Sequence, residues 1–281
     1  MDPDTFRAES RDRWEHAAAG WARRADPFAA ATEPVTAWLV AAVAPQPGQT
    51  ILELAAGLGD VGLRAAALVG SDGKDILTDG AEAMVAAAKD RAEKLGVENV
   101  ETKAMEAEWS DRAAAAGDGV LCRGGYMLLA DPEAALRETR RGLKPGGRVA
   151  LAAWSGREAN PWLALVNEVL VARGLLQPSP PDLPGPFSFG APGTVDELLA
   201  ATGFQDVEVS AVEFTMGAAS LEEWWEHHSD QSVTLAEAVR GLSPKEHYEL
   251  RDAFDAAYAA YVQADGTVVV PASALVAAAS A

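Results

Sequence analysis

Short apolar runs alternate with segments of helical periodicity through the middle of the chain. A short apolar run bounded by turn residues is typical of a buried strand, whereas apolar residues at every third or fourth position indicate an amphipathic helix. Alternation of the two predicts an α/β fold, a parallel sheet with helices on both faces. The predicted strands are residues 50–54, 75–78, 100–104, 119–122 and 148–154, and the predicted helices are residues 61–69, 81–95 and 132–142.

Helical patterns flank this central region. Trp14, Ala17, Ala18 and Trp21 recur at helical spacing and form one apolar stripe. A second helix is predicted at about 29–43, before a proline-rich breaker. Later in the chain the patterns predict helices at 161–172 and 194–202, a proline-rich loop at 177–186, a strand at 206–214, helices within 219–264 and a final buried strand at 274–281, for which a helix is the alternative.

These patterns suggest a division of the chain into three parts. The expected parts are a helical N-terminal cap at 1–44, a core at 45–214 plus 265–281, and a helical lid insertion at 215–264. The additions outside the sheet are therefore candidates for covering a ligand site.

The charge balance is strongly acidic. The 281 residues include 23 Lys and Arg against 42 Asp and Glu, a formal net charge of −19. Nucleic-acid binding draws on clustered Lys and Arg, and the short basic pairs here form no such stripe. The composition therefore excludes nucleic acid as the expected partner.

Cysteine and histidine usage limits the possible chemistry further. Cys122 is the single cysteine, which excludes an internal disulfide and a cysteine-based metal site. His227 and His228 are adjacent and would point in different directions on a helix, so we expect no metal site. A charged N-terminal segment and the lack of a charge-free run of 18 apolar residues predict neither a secretory signal nor a membrane span, and hence a cytoplasmic protein.

A glycine-rich turn follows the first predicted strand. Gly57 and Gly59 precede a helix at the place where ligands of open parallel sheets bind, and they let a ligand approach the backbone. Asp79 ends the second predicted strand, where a carboxylate can accept hydrogen bonds from ribose hydroxyls. Its alternative role is to cap the helix that begins near Ala81. Together these features predict a nucleoside-containing ligand.

The literal G-x-G-x-x-G pattern at 57–62 leaves a nicotinamide- or flavin-dependent oxidoreductase as an alternative. Three features oppose it. Glu53 would place a carboxylate near the helix N-terminus, which repels a pyrophosphate and suits an ammonium group. The sequence contains no Tyr-x-x-x-Lys pair, and the LKPGG segment at 143–147 is not required by nicotinamide folds.

Several segments resemble motifs of the class I S-adenosylmethionine-dependent methyltransferases, specifically the ubiquinone/menaquinone-type small-molecule branch. The resemblance covers about 48–155 closely and 156–214 loosely. Two positions depart from the family pattern, because Ala55 replaces a glycine and Glu106 stands where Asp is common. The matching segments are 51–59 (ILELAAGLG), 77–84 (LTDGAEAM), 105–109 (MEAEW), 119–123 (GVLCR) and the run 131–147 before the fifth strand.

The resemblance implies a Rossmann-like, seven-stranded, mostly parallel sheet of order 3-2-1-4-5-7-6 with the last strand antiparallel. It also implies S-adenosyl-L-methionine as cofactor, with Glu53 near its ammonium, Asp79 on both ribose hydroxyls and Glu106 on the adenine amine. The implied cofactor-binding residues are Glu53, Ala55, Gly57, Gly59, Asp79, Gly80, Met84, Met105, Glu106, Ala107, Cys122 and Arg123.

The expected reaction is direct displacement at a methyl carbon, which needs in-line alignment and needs a base only if the acceptor must lose a proton. Aromatic residues outside the sheet suit a flat or apolar small-molecule acceptor. A nucleoside-binding regulatory protein without catalysis is a further alternative, and we expect a monomer or homodimer. The candidate substrate residues are Trp14, Trp21, Tyr126, Phe187 and Phe189, and the candidate bases are Tyr126, His16, His227 and His228.

Overall fold

The computed structural model describes residues 2–109, 113–178 and 183–281. Residues 179–182 of the predicted proline-rich loop lie outside this part of the chain. The described residues form seven strands: β1 (Thr50–Glu53), β2 (Lys74–Asp79), β3 (Val100–Ala104), β4 (Gly117–Arg123), β5 (Leu143–Trp154), β6 (Gln205–Ala218) and β7 (Val268–Ser280).

Helices surround these strands. The described α-helices are α1 (Pro3–Arg23), α2 (Ala25–Ala31), α3 (Glu33–Val43), α4 (Asp60–Val69), α5 (Glu82–Leu95), α6 (Pro132–Gly142), α7 (Pro161–Ala172), α8 (Thr194–Ala201), α9 (Leu221–Gln231), α10 (Val233–Val239) and α11 (Pro244–Tyr258). Short 3₁₀ turns occur at Tyr126–Leu128, Arg157–Ala159 and Ala259–Tyr261. Within the described ranges, no helix combines the length and the apolar character needed to cross a bilayer.

The strands form one sheet in the order β3-β2-β1-β4-β5-β7-β6, which confirms the expected topology. The first five strands pair in parallel, whereas β7 is antiparallel to both β5 and β6. Val276 in β7 pairs with Ala152 on one side and with Ser210 on the other. The apolar C-terminal run is therefore a strand, as predicted, and not a helix.

Alternate strand residues bury on opposite faces of the sheet. Ile51 and Leu121 pack against the apolar stripes of α3 and α4. Leu52 and Val120 pack on the other face, against α6 and α8. Burial on both faces explains why these strands appear in the sequence as continuous apolar runs.

Two predicted helical regions are divided in the structure. The helix expected at 29–43 breaks at Thr32, whose hydroxyl donates to the Phe28 carbonyl at 2.8 Å. Pro34 lies in the first turn of α3, where its missing N–H costs nothing. The region 219–264 breaks where Ser232 caps α10 and Ser243 caps α11. In the second region the serine caps, and not the apolar periodicity, set where the helices begin.

Helix α1 contacts both α5 and α9. Glu15 accepts hydrogen bonds from the backbone N–H groups of Glu82 and Ala83, at the start of α5. At the other end, a Cβ placed on Gly20 would lie 2.0 Å from the backbone oxygen of Asp230 in α9. The two helices therefore approach closely because position 20 has no side chain.

We predict that Gly20→Ala destabilises the fold, because the backbone oxygen of Asp230 cannot move aside as a flexible side chain could. Overpacking of this kind costs about 1–3 kcal/mol, measurable as a lower midpoint of urea unfolding. Gly142→Ala in α6 is the matched control, since its Cβ would meet nothing within 4 Å, and it should be neutral or gain up to about 1 kcal/mol. Equal midpoints for Gly20→Ala and the wild type would contradict the close approach.

Candidate active site

A cavity of about 450 Å³ opens at the carboxyl ends of the central strands. This volume lies within the usual range of small-molecule sites, about 300–1,000 Å³. The ends of β1, β2, β4 and β5 form its floor, and α1, α7, α9 and α10 contribute to its walls. The switch from β1 to β4 in strand order places the cavity where doubly wound sheets bind ligands.

The turn after β1 has an unusual backbone. Ala55 has φ 48°, Gly57 has φ 53° and Gly59 has φ 78°, so all three are in the left-handed region. Ala55 thus adopts a conformation that a Cβ disfavours. A Cβ on Gly57 would meet nothing within 4 Å, whereas one on Gly59 would lie 2.6 Å from Leu77 Cδ1. Gly57 therefore leaves space free at the cavity, and Gly59 permits packing against β2.

Asp79 lies at the end of β2 and connects this turn to α5. The backbone N–H of Gly57 donates to Asp79 Oδ2 at 2.9 Å, and the N–H of Ala81 donates to Oδ1 at 3.0 Å. The bond to Ala81 closes a local turn before α5, whose first N–H groups are instead bound by Glu15, so Asp79 does not cap this helix. Its carboxylate also lines the cavity. Burial raises the pKa of Asp79. A carboxylate has about four acceptor sites, so two remain for a ligand.

Glu53 is buried at the end of β1 and also lines the cavity. Its Oε2 accepts from the backbone N–H of Gly62, in the first turn of α4, at 2.8 Å. Burial, and next the negative charge of Asp75, raise the pKa of Glu53 well above its usual value. A cation entering the cavity would favour the ionised form of this side chain.

Two acidic residues after β3 are held by arginines of α1. Arg11 Nη2 lies 2.6 Å from Glu106 Oε1, and Arg7 Nε lies 3.1 Å from Glu108 Oε1. Glu108 also accepts from the backbone N–H of Asp131. Both carboxylates line the cavity, so α1 is fastened to the rim of the site by charge.

Arg123 ends β4, and three side chains of the protein bind its guanidinium. Its guanidinium donates to Asp60 Oδ2 at 2.5 Å and to the hydroxyls of Thr32 and Thr36 at 2.9 Å each. The neighbouring Cys122 is buried, and burial raises the pKa of its thiol to about 12. Arg123 lines the cavity while fixing α2 and α3 to the sheet.

The lid-side half of the cavity differs from the sheet side. The elements β5, α7, β6, α9, α10 and β7 contribute most of it. We use this name for the lining residues Trp154, Trp162, Leu163, Asn167, Leu176, Pro184, Met216, Trp224, His227, His228, Gln231, Ser232, Val233, Thr234 and Ala274. Trp154 and Trp162 pack edge to face with ring centroids 5.1 Å apart. His228 is surrounded by the rings of Trp224, Phe254 and Tyr258. Burial lowers the pKa of His228 to about 3, so its imidazole is neutral.

The structure brings most of the expected site residues to this cavity. Glu53, Ala55, Gly57, Asp79, Gly80, Met84, Met105, Glu106, Ala107, Arg123, Trp14, Trp21, His227 and His228 all line it. The lining also includes residues that the sequence analysis did not select: Glu108, Trp154, Trp162, Asn167, Trp224 and Gln231. Trp224 and Gln231 could have been found from their helical spacing to His227 and His228, which the sequence analysis did select.

Other expected residues lie elsewhere among the described parts of the chain. Tyr126 is buried in the sheet core, with its hydroxyl 2.6 Å from Thr139 Oγ1, and burial raises its pKa well above the usual value. His16 is exposed on α1, with Nδ1 2.7 Å from the Asp12 carbonyl oxygen. The residues selected for the site that stand outside the cavity lining are Gly59, Cys122, Tyr126, Phe187, Phe189 and His16.

Phe187 and Phe189 have structural contacts of their own. Phe189 is buried in the core cluster beside α8, and the guanidinium of Arg157 lies 5.2 Å from the ring of Phe187. Their side chains therefore support the loop after residue 183, whose Pro184, Gly185 and Pro186 reach the cavity.

We predict that His228 makes the protein acid-sensitive. An unfolded histidine titrates near pH 6.5, whereas His228 stays neutral in the fold until about pH 3. The unfolded chain thus takes up a proton that the folded chain does not, and stability falls as the pH drops through this window. His228→Leu should remove up to about 1.4 kcal/mol per pH unit of this loss, measured by urea unfolding at several pH values. Parallel curves for variant and wild type would contradict this, and His16→Leu serves as the exposed control.

Comparison with known proteins agrees with this architecture. Residues 45–172 match the family model of a methyltransferase domain. The ubiquinone/menaquinone biosynthesis C-methyltransferase UbiE of Escherichia coli is 36% identical over 109 residues, which is 38% of this chain and 43% of that protein. The chain therefore matches less than half the length of this curated relative.

Solved structures extend the likeness to most of the fold. A methyltransferase-like protein from Bacillus halodurans superposes with a TM-score of 0.59 at 19% identity, covering 87% of this chain and 97% of the other. Phosphoethanolamine N-methyltransferase 2 of Haemonchus contortus, in complex with S-adenosyl-L-methionine, gives 0.51 at 20% identity, covering 87% and 51%. At these identities the likeness is one of fold. Residues 45–172 are therefore similar to a methyltransferase domain, within a chain that has the class I, Rossmann-like methyltransferase fold.

Proposed function

We propose that this protein is an S-adenosyl-L-methionine-dependent methyltransferase that acts on a small-molecule acceptor by direct displacement. The observation that carries the proposal is the position of Asp79, which lines the cavity beside the open space over Gly57. Two backbone N–H groups hold its carboxylate, with acceptor capacity left for a ribose. When bound, the cofactor supplies an electrophilic methyl group on a sulfonium sulfur.

The residues around the cavity fit the parts of this cofactor. Glu53 supplies a buried carboxylate for an ammonium group, and Gly57 supplies the free space along the tail. Asp79 accepts from the ribose hydroxyls. Glu106 and Glu108 lie at the rim near Gly80, where Glu106 Oε2 is 3.4 Å from the Cβ position of that glycine. Gly59 and Cys122 lie outside the cavity lining and are proposed to support the cofactor-binding residues structurally. The proposed cofactor-binding residues are Glu53, Ala55, Gly57, Asp79, Gly80, Met84, Met105, Glu106, Ala107 and Arg123.

The remaining task of the protein is alignment and exclusion of water. We propose that residues 1–44 form a cap and that 215–264 form a lid over the core at 45–214 plus 265–281. The contacts of α1 with α5 and of Gly20 with α9 support this division. The buried free thiol of Cys122 is consistent with the cytoplasm, which we propose as its location.

The geometry does not favour the oxidoreductase alternative. A pyrophosphate would bind at the N-terminus of α4, where Glu53 Oε2 accepts from Gly62 at 2.8 Å. A Cβ on Gly62 would clash with Leu77 and Glu53, so the last glycine of the G-x-G-x-x-G pattern serves packing. The insertion of antiparallel β7 between β5 and β6 also differs from the 3-2-1-4-5-6 order that is typical of dinucleotide-binding sheets.

Calorimetry with S-adenosylhomocysteine and with NADH tests the cofactor directly. We expect binding of the first and none of the second. A methyl-release assay across phenols, amines and other small acceptors then tests catalysis. Binding of S-adenosylhomocysteine without turnover of any acceptor would favour a regulatory protein, and binding of NADH would refute the proposal.

We predict that Asp79→Asn lowers the affinity for S-adenosylhomocysteine by about ten- to a thousand-fold, because two charge-assisted hydrogen bonds to the ribose become weaker or are lost. The substitution also turns an amide donor toward a backbone N–H group, so we expect a stability loss of about 1–3 kcal/mol. Both quantities are measured on the same preparation, by calorimetry and by urea unfolding.

Asp118→Asn provides the matched control. Asp118 likewise accepts from a backbone N–H, that of Thr50, and from Lys144 Nζ, but at the amino end of β1. It should lose stability while keeping its affinity for S-adenosylhomocysteine. Equal affinities in the two variants would refute the assignment of Asp79.

We predict different consequences for the two glycines of the turn. Both substitutions put a Cβ on a residue of positive φ, but Gly57→Ala adds only a methyl group in open space at the cavity, so it should weaken S-adenosylhomocysteine binding more, and lower stability less, than Gly59→Ala. Gly59→Ala forces Leu77 to move, so it should lower stability more than it weakens binding. The reverse pattern in calorimetry and unfolding would mean that the ligand does not lie against Gly57.

A further inference from the structure

Three polar residues of α1 bind the segments that follow β2 and β3. Arg7, Arg11 and Glu15 are four residues apart, which places them on one side of the helix. Glu15 accepts from two backbone N–H groups at the start of α5, and the two arginines bind the two carboxylates that follow β3. Helix α1 therefore contacts both segments beside the Asp79 end of the cavity.

The contact between Arg11 and Glu106 uses only one of the two carboxylate oxygens. Arg11 Nε and Nη2 both donate to Glu106 Oε1, at 3.1 Å and 2.6 Å. Among the described residues, none donates to Glu106 Oε2. Glu106 lines the cavity and its side chain is 27% exposed, so this oxygen belongs to an accessible carboxylate.

Glu106 Oε2 is located next to the residue that follows Asp79. A Cβ placed on Gly80 would lie 3.4 Å from this oxygen, and Gly80 itself lines the cavity. In a nucleoside the base is attached directly to the sugar. A nucleoside whose ribose binds Asp79 therefore places its base close to the segment that carries Glu106.

An ionised carboxylate accepts hydrogen bonds and donates none. At this position it suits a base whose edge carries an amino group, which is a donor. A base with a carbonyl oxygen at the same place would bring two acceptors together. A site built to bond one polar group discriminates strongly against an analogue that lacks the group. Glu106 thus has the chemistry to distinguish an amino from an oxo substituent.

A glutamate side chain needs support to act in this way. It is long and rotates about several bonds, and fixing such a side chain costs conformational entropy. The planar guanidinium of Arg11 binds Oε1 through two nitrogens, which holds the carboxylate in one orientation before a ligand enters. Preorganised groups bind more tightly because this cost is already met in the free protein.

We propose that Arg11 is a positioning residue that orients Glu106, so that the cavity selects a nucleoside whose base carries an exocyclic amino group. This inference rests on the proposed function, since S-adenosyl-L-methionine contains such a base. Arg11 acts through Glu106 and needs no contact with the ligand. Helix α1 thereby contributes to the choice of cofactor in addition to covering the cavity.

The first test compares two ligands that differ at one substituent. S-inosylhomocysteine carries an oxo group where S-adenosylhomocysteine carries the amino group. By calorimetry, the wild type should prefer S-adenosylhomocysteine by about ten- to a hundredfold, the usual effect of one hydrogen bond to a charged group. Glu106→Gln should bring this preference close to one, because an amide can both accept and donate.

The decisive variant is Arg11→Gln. We expect the preference to fall at least about fivefold, through weaker binding of S-adenosylhomocysteine and little change for S-inosylhomocysteine. The ion pair is half-exposed, and such pairs contribute little to stability. The midpoint of urea unfolding should therefore stay close to that of the wild type.

Arg23→Gln is the matched control. Arg23 also belongs to α1, and its Nε and Nη2 donate to a single oxygen of Asp230 at 3.2 Å and 2.6 Å. The substitution removes the same kind of ion pair from the other end of the helix. It should leave both affinities, and hence the preference, unchanged.

The measurements separate this inference from the proposed function. An unchanged preference in Arg11→Gln, or an equal loss of both affinities, would overturn the inference, and the second result would mean that Arg11 only supports the fold. Tighter binding of S-adenosylhomocysteine by this variant would overturn it too, since Arg11 would then obstruct Glu106. A wild type that binds both ligands equally would refute the role of Arg11 alone. Failure of the wild type to bind S-adenosylhomocysteine would refute the methyltransferase function itself.

Discussion

The hydrogen bonds that join the end of β1 to the end of β2 are the constraint on which the site depends. Thr78 Oγ1 donates to the carbonyl of Glu53, the N–H of Ala56 donates to the carbonyl of Thr78, and the N–H of Gly57 donates to Asp79. These bonds hold the turn in the left-handed backbone conformation that Ala55 alone would avoid. Hydrogen bonds to the end of β2 thus offset the backbone strain of the turn, and they fix the ligand-facing surface before any ligand binds.

The sheet, and many of the cavity residues at the carboxyl ends of its strands, could be predicted because local sequence patterns determine them. Apolar runs predict strands, and the turn around Gly57 followed at a suitable distance by Asp79 predicts a nucleoside site. The cavity-lining residues of α9 could not be assigned in the same way. Trp224 and Gln231 reach the cavity because β6, which precedes α9, ends at the same edge of the sheet as β5. That placement depends on the tertiary fold. Tyr126 shows the reverse case, since its position near β4 suggested a role at the site but its hydroxyl is engaged by Thr139 inside the core.

Ion pairs from arginines in and directly after α1 hold this helix in place. Arg7 and Arg11 of α1 pair with Glu108 and Glu106, while Arg23 and Arg24 pair with Asp230. Exposed pairs contribute little individually, but Glu108 is buried, and loss of Arg7 would leave its carboxylate without a counter-charge. The surplus of carboxylates in the sequence is thus partly used to position α1 at the rim of the cavity.

The close approach of α1 and α9 at Gly20 gives the two ends of the cavity a common wall. The same helix caps α5 through Glu15 beside the Asp79 end of the cavity and touches α9 beside the lid-side half. Residues along α1, from Phe6 to Trp21, line the cavity between these two contacts. A displacement of α1 would therefore alter both ends of the cavity at once.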